Sequence, residues 1–177
     1  MSRSEPSKDD FVAVEYMVQQ GLEGIRRADP AARRVSLSDI ARYVMGADVP
    51  AVEAKLQQDL TVRRQYQQLL KKQRRMYMPV ANAAASTDLI LERDSDLFSI
   101  LVLPAKNHPG QYYVSLQLKP SADLEQNAEL VMHVILEDKV ARCNFPPLRS
   151  GRGQVVVSEQ DLLFKLISSA NSEVFVY

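Results

Sequence analysis

Few residues in this sequence have the chemistry of a reactive site. There is one cysteine, Cys143, and there are two histidines, His108 and His133. A Cys–His nucleophile pair requires thiol and imidazole within hydrogen-bond reach of each other. Cys143 stands in Val140-Ala141-Arg142-Cys143-Asn144-Phe145, near a strand end, where a cysteine reads as a small, half-buried apolar residue. His108 lies in the turn sequence Lys106-Asn107-His108-Pro109-Gly110. His133 interrupts an otherwise apolar run and reads as a satisfied core or face histidine. The acids Asp94, Asp96, Glu137 and Asp138 fall in breaks between apolar runs. A calcium site needs about six converging oxygens, and solvated turns account for these acids more simply. Arg149 and Arg152, in Arg149-Ser150-Gly151-Arg152-Gly153, offer two guanidiniums that a phosphate contact would use, but no glycine-rich phosphate loop accompanies them. A lone cysteine excludes an internal disulfide framework. The expectation is a protein that is not an enzyme, with no cofactor, no metal and no small-molecule substrate.

Function must then reside in a binding surface, and one stretch has the grammar of one. Leu37, Ile40, Ala41 and Val44 recur at helical spacing. Ser36 with Asp39 three residues on is a capping-box pattern, and Gly46 is a helix stop. Asp48 is placed to cap a second helix, with Pro50 tolerated in its first turn. Val49, Val52, Leu56 and Leu60 share a face of that helix, and a bend is expected near 59–61. A third helix is predicted over about 62–77, with Val62, Tyr66, Leu69, Leu70 and Tyr77 along one stripe. Its other face holds Arg63, Arg64, Lys71, Lys72, Arg74 and Arg75, and no acidic residue lies between Asp59 and Asp88. Upstream, Phe11, Val14, Val18, Leu22 and Ile25 predict a further helix over about 10–27. Four such helices make a bundle with a lean core, which would gain by packing its stripes against a partner.

This stretch resembles the anti-sigma domain of bacterial sigma-factor regulators. The resemblance covers about forty residues, 36–77. It rests on Ala41-Arg42-Tyr43-Val44-Met45-Gly46, a Pro-containing helix start, Val52-Glu53-Ala54-Lys55-Leu56, the step from Asp59 to Val62-Arg63, and a long closing helix. In zinc-binding members a His and two Cys stand where Lys55, Asp59 and Val62 align, so the resemblance implies a zinc-less version. It also implies a helical clamp that sequesters a sigma factor by steric occlusion. The apolar contacts would come from Tyr43, Val44, Leu56, Tyr66, Leu69 and Leu70. Arg63, Arg64, Lys71 and Lys72 would flank them and face acidic patches of the partner. Ser36-Leu37-Ser38-Asp39-Ile40-Ala41 followed by a turn also resembles a repressor-type helix-turn-helix. Base-reading helices carry polar donors near their N-terminus. Here that helix begins Val49-Pro50-Ala51-Val52-Glu53, which fits DNA poorly. A protein-protein adaptor in a signalling complex is the remaining reading.

From Asp88 the apolar period changes to two. Strands are predicted over 89–92, 97–103, 111–118, 129–136, 139–145, 154–157 and 173–177, with Glu137-Asp138 as a hairpin turn. Ser158-Glu159-Gln160-Asp161 is a capping-box pattern before a short helix. Residues 1–78 carry 14 basic and 10 acidic groups, hence +4, and residues 79–177 carry 8 and 12, hence −4. That split supports a helical domain at 1–78, a linker at 79–87 and a β domain at 88–177, with release expected by proteolysis of the linker or by a partner of the β domain. The fold class expected is α+β: an N-terminal helical bundle of about four helices, then an antiparallel β-sandwich-like domain. With no signal peptide and no run of about 20 apolar residues, the chain is expected to be soluble and cytoplasmic, without a membrane partner.

Overall fold

Ser36 opens the first described helix as its sequence requires. Its hydroxyl accepts the Asp39 amide at 3.1 Å, and the Asp39 carboxylate accepts the Ser36 amide at 3.1 Å. The computed structural model describes residues 34–79 and 91–177. Helix α1 spans Leu37–Val44, and Gly46 ends it at φ +95°, a conformation that favours glycine. Helix α2 spans Pro50–Gln58 with Val49 as its N-cap residue, so the expected cap by Asp48 is not made. Helix α3 spans Leu60–Gln73; Asp59 caps it by accepting the Thr61 amide at 2.8 Å and the Val62 amide at 3.3 Å. The bend expected near 59–61 is this cap.

Beyond α3 the chain departs from expectation. Tyr77 is not on the helix: Met76–Met78 is a strand, β1, paired antiparallel with β8 (Glu173–Val176). Met76 and Met78 turn into the core while Tyr77 turns the other way, a period-two pattern that a helical reading cannot see in three residues. The other strands are β2 (Leu91–Asp94), β3 (Phe98–Pro104), β4 (Gln111–Leu118), β5 (Val131–Leu136), β6 (Lys139–Asn144) and β7 (Arg152–Ser158), with a short helix α4 at Leu162–Ile167 between β7 and β8. They form two four-stranded sheets, β1-β8-β5-β6 and β2-β3-β4-β7, with every pairing antiparallel. The β5–β6 hairpin turns at Glu137-Asp138 as expected, with Glu137 at φ +54°. The Ser158–Asp161 box instead closes a turn: Asp161 accepts the Ser158 amide at 2.7 Å, and α4 has no side-chain cap.

The α+β class therefore holds, with antiparallel sheets. Residues Val35–Tyr177 form one compact unit, so α1–α3 are not a free-standing bundle. The physical reason lies in β5 and β8. Val-Met-His-Val-Ile-Leu is a nearly continuous apolar run, the pattern of a strand buried on both faces. Met132, Val134, Val174 and Val176 join Phe98, Ile100, Val114 and Leu116 of the second sheet in one core. Ile135, Val140, Phe175 and Tyr177 join Ile40, Val44, Val52, Leu56, Tyr66 and Leu70 of the helices in another. The helix over 10–27 and nearly all of the linker at 79–87 lie outside the described residues.

Candidate interaction surface on the third helix

The apolar residues expected to grip a partner are used inside the molecule. Tyr43, Val44, Leu56, Tyr66 and Leu70 are buried against β5, β6 and β8, and Leu69 packs half-buried on the same cluster. Their stripes are real, but the surface they meet is the chain's own sheet. Arg63 is also committed. Its Nε donates to Leu56 O at 2.9 Å and one terminal nitrogen to Gln57 O at 3.2 Å, and it pairs with Asp138 at 3.4 Å. Of the ten expected contact residues, Arg64, Lys71 and Lys72 alone are fully on the surface.

A polar network explains why the helices and sheet hold together. The buried His133 ring sits between them: Nε2 lies 2.9 Å from Val44 O and Nδ1 lies 2.5 Å from the Tyr66 hydroxyl. A carbonyl only accepts, so Nε2 carries the proton, and Nδ1 accepts from Tyr66. Tyr66 and Tyr177 meet the imidazole edge-on. The Tyr177 hydroxyl donates to Leu70 O at 2.6 Å. Arg142 donates to Tyr43 O at 3.1 Å and Ala47 O at 2.7 Å and stacks over the Tyr43 ring at 3.9 Å, while Asn144 donates to Gly46 O at 3.1 Å. Burial pushes the His133 pKa down to about 4 and raises those of Tyr43 and Tyr66. The imidazole is neutral and fully bonded, which bears out its reading as a core histidine. The sequence gives no signal for the network, because its members come from α1, α3, β5, β6 and Tyr177, the residue after β8.

Cys143 and His133 do not meet. They stand opposite Met132 and Arg142 on the β5–β6 ladder, at adjacent positions whose side chains leave opposite faces of the sheet. Cys143 packs beside the inter-sheet core, and burial pushes its thiol up to about 11, far from a thiolate at neutral pH. His108 lies in the exposed β3–β4 turn. Asp94 pairs with Lys119 at 2.7 Å, and Arg152 donates to Gln117 at 2.8 Å. Among the described residues no group of three His, Cys, Asp or Glu side chains could hold a metal ion, and no helix is long and apolar enough to cross a membrane.

What remains on the outside of α3 is a basic stripe. Arg64, Gln65, Gln68, Lys71 and Lys72 are exposed, and exposed Arg74 and Arg75 continue it past the helix end. Lys71 reaches Glu173 only at 3.8 Å, and Arg74 lies over the Tyr77 ring at 4.3 Å. Arg64, Lys72 and Arg75 have no ion pair among the described residues. The cations at the C-terminal end also suit the helix dipole, so the stripe carries a structural gain whatever it binds. No protein-family model matches the chain, and no curated protein is found to be similar to it.

Proposed function

We propose that this protein is a non-catalytic regulator that binds an acidic protein surface through the basic face of α3, with sequestration of a sigma factor as its specific form. The observation that carries the reading is the basic stripe of Arg64, Lys72 and Arg75, without an ion pair among the described residues, in a stretch from 60 to 87 without one acidic residue. The tie of α1–α3 to the sheet makes the stripe a rigid platform, which favours occlusion by rigid docking over a clamp that completes its core on a partner. In this reading the two antiparallel sheets are the layers of a β-sandwich that supports the helices. The partner contacts reduce to Arg64, Lys71 and Lys72. The apolar residues act by holding that face in place.

The test is co-expression with the sigma factors of the source organism, followed by affinity capture. A one-to-one complex whose association slows on Arg64→Glu with Lys72→Glu, with thermal stability unchanged, supports the reading. No complex with any of them overturns it. Binding of duplex DNA with steep salt dependence would instead assign the stripe to phosphate contacts.

A further inference from the structure

The two sheets have four edges, and three of them are blunted. β1 has only three residues. β2 carries Glu92, Arg93 and Asp94 along its four residues. β6 begins with Lys139, and its Arg142 and Asn144 hold the turn that follows α1. Short length, charges and covering elements are the usual protections of an exposed edge. Among the described residues the fourth edge, β7, has none of them along Gly153-Gln154-Val155-Val156-Val157-Ser158, which contains no charge and no proline.

The hydrogen-bond pattern shows which backbone groups of β7 are open. Leu118 N–H donates to Gly151 O at one end, and Glu159 N–H to Gly110 O at the other. In an antiparallel ladder such pairs alternate, so the odd-numbered residues of β7 bond to β4. The N–H and C=O of Arg152, Gln154, Val156 and Ser158 therefore point off the sheet. Arg152 exchanges its pair with Arg149, and the Ser158 amide donates to Asp161. Gln154 and Val156 have no backbone partner among the described residues. Val156 is 54 % exposed and ends a cross-strand row, Leu103–Tyr113–Val156, on the outer face of the sheet.

We propose that β7 is a self-association edge: two copies pair their β7 strands antiparallel about a two-fold axis at Val155, making one continuous sheet. Three observations converge on a second copy as the occupant. The open groups of Gln154 and Val156 are symmetric about Val155, so Gln154 of one copy meets Val156 of the other as a hydrogen-bonded pair. The segment closed at each end, by Arg149 and by Asp161, limits the pairing to this register. Arg152 of each copy comes beside the Ser158–Glu159 end of the other, where Glu159 and Asp161 supply opposite charge. The pairing is short, so the dimer is weak and reversible.

Sedimentation of the full chain over a concentration series into the hundred-micromolar range tests this. The expected result is a monomer–dimer equilibrium. Gln154→Lys with Val156→Lys sets the introduced lysines of the two copies opposite one another and weakens the dimer on the order of thirtyfold. Gln154→Lys with Val156→Glu sets opposite charges there and restores it. All four side chains changed in the pair are on the exposed face, so the fold, followed by circular dichroism, stays intact. A wild-type chain that is monomeric throughout overturns the proposal. So does a dimer that both double variants leave unchanged, or one that both weaken equally.

Discussion

Acidification should loosen the molecule through His133. The imidazole is fully buried, and its two nitrogens are committed to Val44 O and the Tyr66 hydroxyl. Among the described residues no carboxylate is hydrogen-bonded to it, and Arg142 adds an unfavourable positive charge to the protonated form. Burial is the larger cause of a folded-state pKa of about 4 against an ordinary value of 6.5. An unfolded chain therefore takes up a proton that the folded one refuses. The stability from keeping the ring neutral is fully present above pH 6.5, and it falls as pH drops through the window down to about 4. The shift corresponds to about 3 kcal/mol, of which about 2 kcal/mol is gone by pH 5. Urea unfolding at pH 7, 6 and 5 measures it, with His133→Gln as the reference that removes the titrating group. Wild type should lose about 2 kcal/mol more than the variant between pH 7 and 5. Equal losses in the two proteins would refute the assignment of the pH dependence to this ring. So would an imidazole that titrates near its ordinary pKa by NMR in the folded protein.

Other outcomes follow from single positions. Gly46→Ala should destabilise by about 1–3 kcal/mol in thermal or urea unfolding, because φ is +95° and the added methyl would lie 2.7 Å from Val131 Cγ2. Glu137→Gly should raise stability by up to about 1 kcal/mol, since Glu137 holds φ +54° in the β5–β6 turn and a glycine takes that conformation without strain. Cys143 should react slowly with a thiol reagent at pH 8 in the native protein and quickly once unfolded, because burial holds the thiol near 11.

Much of the fold was legible because it rests on local rules. The Ser36–Asp39 box, the Gly46 stop and the Glu137-Asp138 hairpin are set by residues within a few positions of each other. Period-two alternation located the strands to within about two residues at most ends. What escaped was set at a distance. Met76–Met78 becomes a strand because Val174–Val176 offers it an edge, a partner about one hundred residues away. The change of apolar period at Asp88, the small-residue linker and the charge split mark where strands replace helices, but they are silent on which faces pack together; Ile135, Val140 and Phe175 join α1–α3 to the sheet within the compact unit Val35–Tyr177. His133 was read correctly as satisfied, but its partners on α1 and α3 were not foreseeable.

The same argument decides which substitutions can probe the α3 surface. An amphipathic stripe states that a face wants burial, and it is silent on whether the chain or another molecule supplies the cover. Tyr66→Asp would be the natural probe of an apolar docking face. Here Tyr66 is fully buried beside His133, so the change removes an aromatic side chain, leaves Nδ1 without its donor and buries a carboxylate. Loss of about 4 kcal/mol or more is expected, a large part of the stability of a domain this size. Any complex it abolishes would be lost through unfolding. Leu69, half-buried at the rim of the same cluster, should lose less on Leu69→Asp, roughly 1–2 kcal/mol. Urea unfolding of the two free variants checks the order. If Tyr66→Asp unfolds at the wild-type midpoint, the stripe is not packed on the sheet in solution, and the apolar contacts return as candidates for a partner.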